Sequence, residues 1–270
     1  MSILEQIRHR RSVRTFDGEE MKQEDLNGLL EFADTIKNPY GLPVKYKILK
    51  AKEHGLSSPV LHGEYAYLFG MIKQVPHAEE AFGFSFEQLI LHADALGIGT
   101  VWIAGTMDRK QFEEAAGISE GEVLPCISPL GYYTGKQSLK EHMMRKAIKA
   151  DSRAPFEELF FRHDLQSPLK PEEIPDYKDV LEMVRWAPSA VNKQPWRVIV
   201  DGMDFHFYEK HSKGYIDASG WDLQKIDLGI AMSHFDLGIK EQGKIAEFRI
   251  GDPSLADPEE LEYIGTFQIK

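Results

Sequence analysis

The chain has 270 residues, room for one large domain or two small ones at ~150 residues per domain. Hydrophobic residues make up 42% and charged residues 28%, which excludes a disordered or collagen-like chain. The net charge of −11 repels a phosphate backbone, so nucleic acid is not an expected partner. Cys126 is the only cysteine; it has no disulfide partner within the chain, which fits a reducing, cytoplasmic setting. Residues Met1 to Gln6 lack a basic start followed by an apolar run, so no secretory signal is expected. The longest apolar stretch, Ala95 to Met107, is broken by Gly97, Gly99 and Gly105 and is too short to cross a bilayer.

Ser2 followed by Glu5 is a capping box and predicts a helix that buries Ile3, Leu4 and Ile7 and ends near His9–Arg11. Leu26, Leu29, Leu30 and Ala33 recur at helical spacing and predict a second helix over 24–34. Short strands are expected at Tyr46–Leu49 and Tyr65–Ile72. A helix over 84–96 should stop at Gly97. After it come a buried strand at 100–104, a helix at 111–116 and a strand at 127–133. The charged, proline-bearing stretch from Lys136 to Pro175 reads as a surface connection interrupted by a helix at 155–162.

The second half repeats the first. Leu181-Glu182-Met183-Val184 answers Leu30-Glu31-Phe32-Ala33, and Pro195-Trp196-Arg197 answers Pro43-Val44-Lys45. Leu237-Gly238-Ile239 answers Leu96-Gly97-Ile98, and Ile264-Gly265-Thr266-Phe267 answers Leu130-Gly131-Tyr132-Tyr133. Four matches in one order point to an internal duplication. The expected class is α+β, with two homologous halves at 1–150 and 151–270.

Two stretches carry the chemistry. Arg10-Arg11-Ser12-Val13-Arg14-Thr15-Phe16 crowds three arginines and a hydroxyl into five positions. Such crowding is costly without an anion, and a guanidinium fork suits phosphate. The alternative is a solvated basic helix end that complements the macrodipole. Ala187-Pro188-Ser189-Ala190-Val191-Asn192-Lys193-Gln194-Pro195-Trp196 presents polar side chains from a loop stiffened by two prolines; the alternative is a rigid helix-to-strand connection.

Together these stretches resemble the FMN-dependent nitroreductase family, whose hallmarks are R-R-S-x-R-x-F and A-P-S-x-x-N-x-Q-P-W. Ala95-Leu96-Gly97-Ile98-Gly99-Thr100-Val101-Trp102-Ile103-Ala104-Gly105 is similar to the family's glycine-rich helix-to-strand passage. Leu130-Gly131-Tyr132 and Ser152-Arg153-Ala154-Pro155 match as well. One order differs: the A-P-S segment stands in the second half, and its usual slot holds Lys37-Asn38-Pro39-Tyr40-Gly41-Leu42-Pro43. The resemblance therefore implies the subgroup in which a dimer has been fused into one chain as an intramolecular pseudo-dimer, each half an antiparallel-rich sheet flanked by helices. Further homodimerisation is left open.

The resemblance also implies FMN as cofactor, NAD(P)H as electron donor, and a ping-pong transfer to a small-molecule nitroaromatic, quinone or similar acceptor. Arg10, Ser12 and Arg153 would hold the FMN phosphate with help from Arg11, although Asp151 stands where many relatives carry lysine. Arg14 would reach the pyrimidine edge as an electrostatic stabiliser. Backbone groups of Trp102, Ile103, Ala104 and Gly105 would lie by N5, and Pro188, Ser189, Ala190 and Asn192 would cover the ring. Loops at 37–41 and 212–221 would set substrate range. No catalytic side chain or metal is expected: Gly97-Ile98-Gly99 lacks a third Rossmann glycine, no P-loop is present, and His206 and His211 lack metal-ligand spacing. Cys126, Trp102 and Trp221 read as core residues. The competing reading is an FMN-binding protein with little turnover, a flavin store or sensor; a cofactor-free structural module would leave the arginine cluster idle.

Aligning Glu5 with Glu157 places Asp164 opposite Ser12 and Gln166 opposite Arg14, with only Arg162 retained opposite Arg10. A carboxylate facing a phosphate dianion is repulsive. One FMN per chain is therefore expected by native mass spectrometry, and a ratio near two would contradict the asymmetry.

Overall fold

Ser2 and Glu5 close the reciprocal cap: the Ser2 N–H donates to Glu5 Oε2 at 2.9 Å and the Glu5 N–H to Ser2 Oγ at 3.1 Å. The helix they open, α1 (Ile3–His9), buries Ile7. Its Ile3 N–H donates to Glu241 Oε1 at 2.7 Å, and Arg8 pairs with Glu182 at 3.6 Å. Residues Met1–Arg8 accordingly group with Lys149–Lys270, and His9–Ile148 forms the other unit. This computed structural model describes residues 2–135, 138–217 and 220–270. Met1, the Lys136 start of the expected connection, and Ala218 and Ser219 of the expected 212–221 loop lie outside the described residues.

The unit His9–Ile148 runs α2 (Gln23–Ala33), β1 (Lys45–Lys50), β2 (Ala66–Lys73), α3 (Ala78–Ala95), α4 (Arg109–Ala116), β3 (Glu122–Val123), β4 (Ile127–Leu130) and α5 (Leu139–Ala147). Central β2 is buried as far as Ile72 and pairs antiparallel with β1, β3 and β4. Alternate side chains leave opposite faces of a strand. Tyr67, Phe69 and Met71 join one core cluster with Phe112 of α4, whose ring meets Tyr67 edge-on at 4.9 Å. On the other face Gly70 admits the Phe82 and Phe86 rings of α3, which stack on each other at 5.2 Å.

The other unit follows α1 with α6 (Phe156–Leu159), β5 (Phe160–Arg162), α7 (Lys178–Trp186), β6 (Trp196–Asp201), β7 (Asp204–Glu209), α8 (Leu223–Glu241), β8 (Ala246–Arg249) and β9 (Glu262–Ile269). Its sheet is ordered β5-β6-β7-β9-β8, antiparallel except for β5 beside β6. Phe205 and Phe207 of β7 pack on Phe235 of α8 at 4.8 and 5.5 Å. The order α2-β1-β2-α3-β4 in one unit recurs as α7-β6-β7-α8-β9 in the other, with the last strand of each set pairing antiparallel to the second. The fold is α+β, sheets flanked by helices, in a duplicated arrangement. Among the described residues no helix is long and apolar enough to cross a membrane.

Several elements differ from the sequence expectation. Helix α3 begins at Ala78, six residues early, because Glu79 and Glu80 favour its positive N-terminal end. It stops where expected: Gly97 has φ 75°, and the Ile98 N–H reaches the Ala93 carbonyl at 3.0 Å. Residues 100–104 form no ladder. Gly99 bridges Gly131 and Ile103 bridges Ile127 in one antiparallel register, while Thr100 bridges Ser12 in parallel, so the segment makes isolated bridges to two neighbours. The strand expected at 127–133 ends at Leu130. The helix expected at 155–162 ends at Leu159, where Phe160, Phe161 and Arg162 pair with Val198, Ile199 and Val200; sheet pairing overrides local pattern there. The expected surface connection also contains α5.

An added Cβ at Gly70 would lie 2.7 Å from Phe82 and 2.9 Å from Phe86. Gly70→Ala should destabilise the protein by about 1–3 kcal/mol through overpacking, seen as a lower urea midpoint at unchanged slope; an unchanged midpoint would contradict this packing.

Candidate active site

Residues 10–16 run extended, held on alternating sides. The Val13 N–H donates to the Thr100 carbonyl at 2.9 Å, the Phe16 N–H to the His62 carbonyl at 2.8 Å, and the His62 N–H to the Arg14 carbonyl at 3.0 Å. Val13 and Phe16 are buried, while Arg10, Arg11, Ser12 and Arg14 stay half-buried. The Ser12–Thr100 bridge is parallel, so the arginine segment and the glycine-rich passage run side by side in one direction. Gly99 is needed at this approach: a Cβ there would lie 2.8 Å from Tyr133 and 2.9 Å from Val13.

The three arginines are not equivalent. Arg11 Nη1 donates to Glu141 Oε1 at 3.1 Å, and its guanidinium lies 5.2 Å from the Tyr133 ring centroid. Thr15 Oγ1 donates to Glu141 Oε2 at 2.9 Å. Glu141 is itself placed by α5, whose N-cap Ser138 accepts the Glu141 N–H at 3.1 Å. The Nη1 atoms of Arg10 and Arg14, like Nη2 of Arg11, are buried with no hydrogen-bond partner among the described residues, but only Arg11 pairs with a carboxylate. Burial pushes the Arg14 pKa down, with Glu141 opposing and Arg145 adding to the shift. Arginine keeps its proton regardless, so the charge stays and its solvation is incomplete. An anion with several acceptor oxygens fits these donors.

In the glycine-rich passage Trp102 Nε1 donates to the buried Glu87 carboxylate at 2.9 Å, and the Trp102 ring meets Phe86 at 4.9 Å. Ile103 spends both backbone groups on Ile127, at 3.0 and 2.9 Å. The Ala104 carbonyl accepts from Arg109 Nη2 at 3.2 Å, and Gly105 is exposed with open space where a Cβ would be. The expected backbone contribution at Ile103 is thus already used.

In the unit containing Lys149–Lys270, Arg153 donates to the carbonyls of Ala150, Ser152 and Trp186 at 3.0, 2.8 and 3.1 Å and lies 4.8 Å from the Trp186 ring centroid. The segment from Pro188 to Gln194 is a strained loop: Val191, Asn192 and Gln194 have φ of 51°, 57° and 50°, and a β-branched residue there is a backbone outlier. Its polar groups hold it in shape. Ser189 Oγ accepts the Gln194 N–H at 2.9 Å, Asn192 Nδ2 donates to the Lys149 and Ser152 carbonyls, and Gln194 Oε1 accepts the Ala154 N–H. Ala190 donates its N–H to both oxygens of Asp227 at 3.0 and 3.1 Å. Burial raises the Asp227 pKa well above the usual carboxylate range, opposed by that hydrogen bond and assisted by Glu209 and Asp222. At the positions opposite the arginine cluster, Arg162 donates to the Glu173 carbonyl at 3.0 Å and Asp164 closes a turn onto the Gln166 N–H at 2.9 Å.

A family model described as "Putative TM nitroreductase" matches residues 2–239. The chain belongs to that nitroreductase family. The crystal structure of a "putative nitroreductase" from Thermotoga maritima shares the fold, with a TM-score of 0.64 at 21% identity over 100% of this chain and 93% of that one. An "FMN-dependent Nitroreductase" from Clostridium difficile is 18% identical over 49% of this chain and 88% of its own, with a TM-score of 0.43. A "Nitroreductase-like Family Protein" from Bacillus cereus is 22% identical over 58% and 94%, with a TM-score of 0.45. None of the curated proteins matches the chain.

This nitroreductase-family chain also uses residues that sequence reasoning did not single out: Glu141 beside Arg11, Glu87 beneath Trp102, and Asp227 behind Ala190. Only Glu141 carried a local signal, the Ser138-x-x-Glu141 capping pattern. Its carboxylate is buried against Arg11, so Glu141→Ala leaves that guanidinium without its counter-charge. The expected loss is about 3–5 kcal/mol, measured by urea denaturation; a change within ~0.5 kcal/mol, the scale of a surface substitution, would contradict the pairing.

Proposed function

We propose that this chain is an FMN-dependent oxidoreductase that takes hydride from NAD(P)H and passes it to a nitroaromatic, quinone or similar small acceptor. The observation that carries the reading is the pair of buried Nη1 atoms on Arg10 and Arg14 without hydrogen-bond partners among the described residues. The FMN phosphate would supply oxygens and charge to Arg10, and the oxygens of the pyrimidine edge would accept from Arg14. Membership of a nitroreductase family supports the redox class, and FMN is the cofactor named for the Clostridium difficile protein.

In this reading Arg10, Ser12 and Arg153 would hold the FMN phosphate. Arg11 contributes less than the resemblance implied, because Glu141 takes its charge. Arg14 would reach the pyrimidine edge, where a fixed cation favours negative charge. Backbone groups of Trp102, Ala104 and Gly105 would serve the N5 side, with Ile103 less available, and Pro188, Ser189, Ala190 and Asn192 would cover the ring. When bound, FMN supplies the hydride chemistry; the side chains position it and need no nucleophile.

A second reading is a flavin-binding protein with little turnover. It is favoured by Ser189 and Asn192 spending their polar groups on their own loop. Steady-state NAD(P)H oxidation with nitroaromatic and quinone acceptors separates the two, since turnover supports the enzyme and its absence supports the binder. Arg14→Ala should weaken FMN binding about tenfold or more, the loss of a hydrogen bond to a charged group. Flavin-fluorescence titration reads this, and unchanged affinity would count against the assignment.

A further inference from the structure

At the end of β7 and the start of α8, three side chains from one unit converge. Glu209 Oε1 lies 2.6 Å from His211 Nδ1, and Asp222 Oδ2 lies 3.4 Å from the same nitrogen. One ligand atom from each falls within 4.8 Å of the others. Glu209 ends a strand buried to its last residue, and Asp222 is the N-cap of α8, its Oδ1 accepting the Gln224 N–H at 2.8 Å. That cap fixes the Asp222 carboxylate and leaves Oδ2 toward His211. Sequence spacing hid the group, because its third member lies eleven positions beyond His211.

A second, independent observation points to a ligand. Glu209 is fully buried, yet its Oε2 has no hydrogen-bond partner among the described residues. A buried carboxylate oxygen left unmatched is costly. The surroundings add negative charge rather than relieve it. Asp227, also buried, interacts with both Glu209 and Asp222. Glu262 interacts with Glu209 and His211, and Lys225 contacts Glu262 at 2.6 Å. His211 alone of the three ligands is substantially exposed, its side chain 39% accessible, so the group opens to solvent on one side.

We propose that Glu209, His211 and Asp222 form a binding site for a divalent metal of the class that accepts nitrogen and oxygen together, with Zn²⁺ as its representative. Ligand bonds of about 2.0–2.2 Å suit this set, and three protein ligands leave a fourth position for water. A mixed imidazole and carboxylate set disfavours Mg²⁺ and Ca²⁺, which take oxygen ligands. The metal would pin the β7–α8 connection at both ends, a structural role separate from flavin binding.

The test titrates the chelator-treated full chain with ZnCl₂ by calorimetry and follows its melting temperature. One equivalent of Zn²⁺ should bind and raise the melting temperature, with Mg²⁺ producing neither effect. His211→Ala, at a half-exposed position that tolerates truncation, and the near-isosteric Asp222→Asn should each weaken the site at least about tenfold, with FMN content unchanged. Absence of saturable Zn²⁺ binding would overturn the proposal, as would equal affinity in both variants. So would a Glu209→Gln variant that melts higher than wild type and binds Zn²⁺ undiminished, the pattern of a proton-sharing cluster with zinc held elsewhere.

Discussion

Three guanidiniums in five positions, one of them paired with a buried carboxylate, set the constraint on which the unit His9–Ile148 is organised. Glu141 neutralises Arg11 and takes the Thr15 hydroxyl, and it does so because the Ser138 cap fixes the start of α5. The buried Val13 and Phe16 and the hydrogen bonds to Thr100 and His62 prevent the segment from turning out to solvent. Charge is therefore partitioned along the segment: Arg11 has a carboxylate partner, while Arg10 and Arg14 each keep a buried Nη1 without a hydrogen-bond partner among the described residues. A protein tolerates such incomplete solvation where a ligand completes it.

The two units share an order of elements but not this charge pattern. Around β5, Arg162 is turned to the Glu173 carbonyl and Asp164 to a local turn, so the backbone plan persists without the cationic cluster. The second unit has instead invested its polar groups in shape. Asp227 clamps Ala190, and Ser189, Asn192 and Gln194 hold a loop with three residues at positive φ. Strain of that kind survives only where surrounding bonds over-determine it.

Much of this was legible in the sequence where the determining interaction is local. The Ser2–Glu5 cap and the Gly97 stop each depend on neighbours within a few residues, and the aromatic and branched residues of β2 mark it as a strand. Residues 100–104 have an apolar composition that suits a strand, whereas they make only isolated bridges, to Ser12 on one side and Ile127 on the other. The early start of α3 follows from acidic residues at a helix terminus, which apolar periodicity does not register. The arginine motif was visible, but not the division of labour within it. Glu141 lies 130 positions from Arg11, and Asp227 lies 37 from Ala190; only folding brings either pair together.

The most direct measurement compares FMN with riboflavin, which has the same ring and no phosphate, for binding to the purified chain by fluorescence titration. If Arg10 is held for the phosphate, FMN should bind at least about tenfold tighter, the scale of one charge-assisted hydrogen bond, and Arg10→Ala should narrow the gap. Equal affinities for the two flavins, or a gap unchanged by Arg10→Ala, would contradict the account.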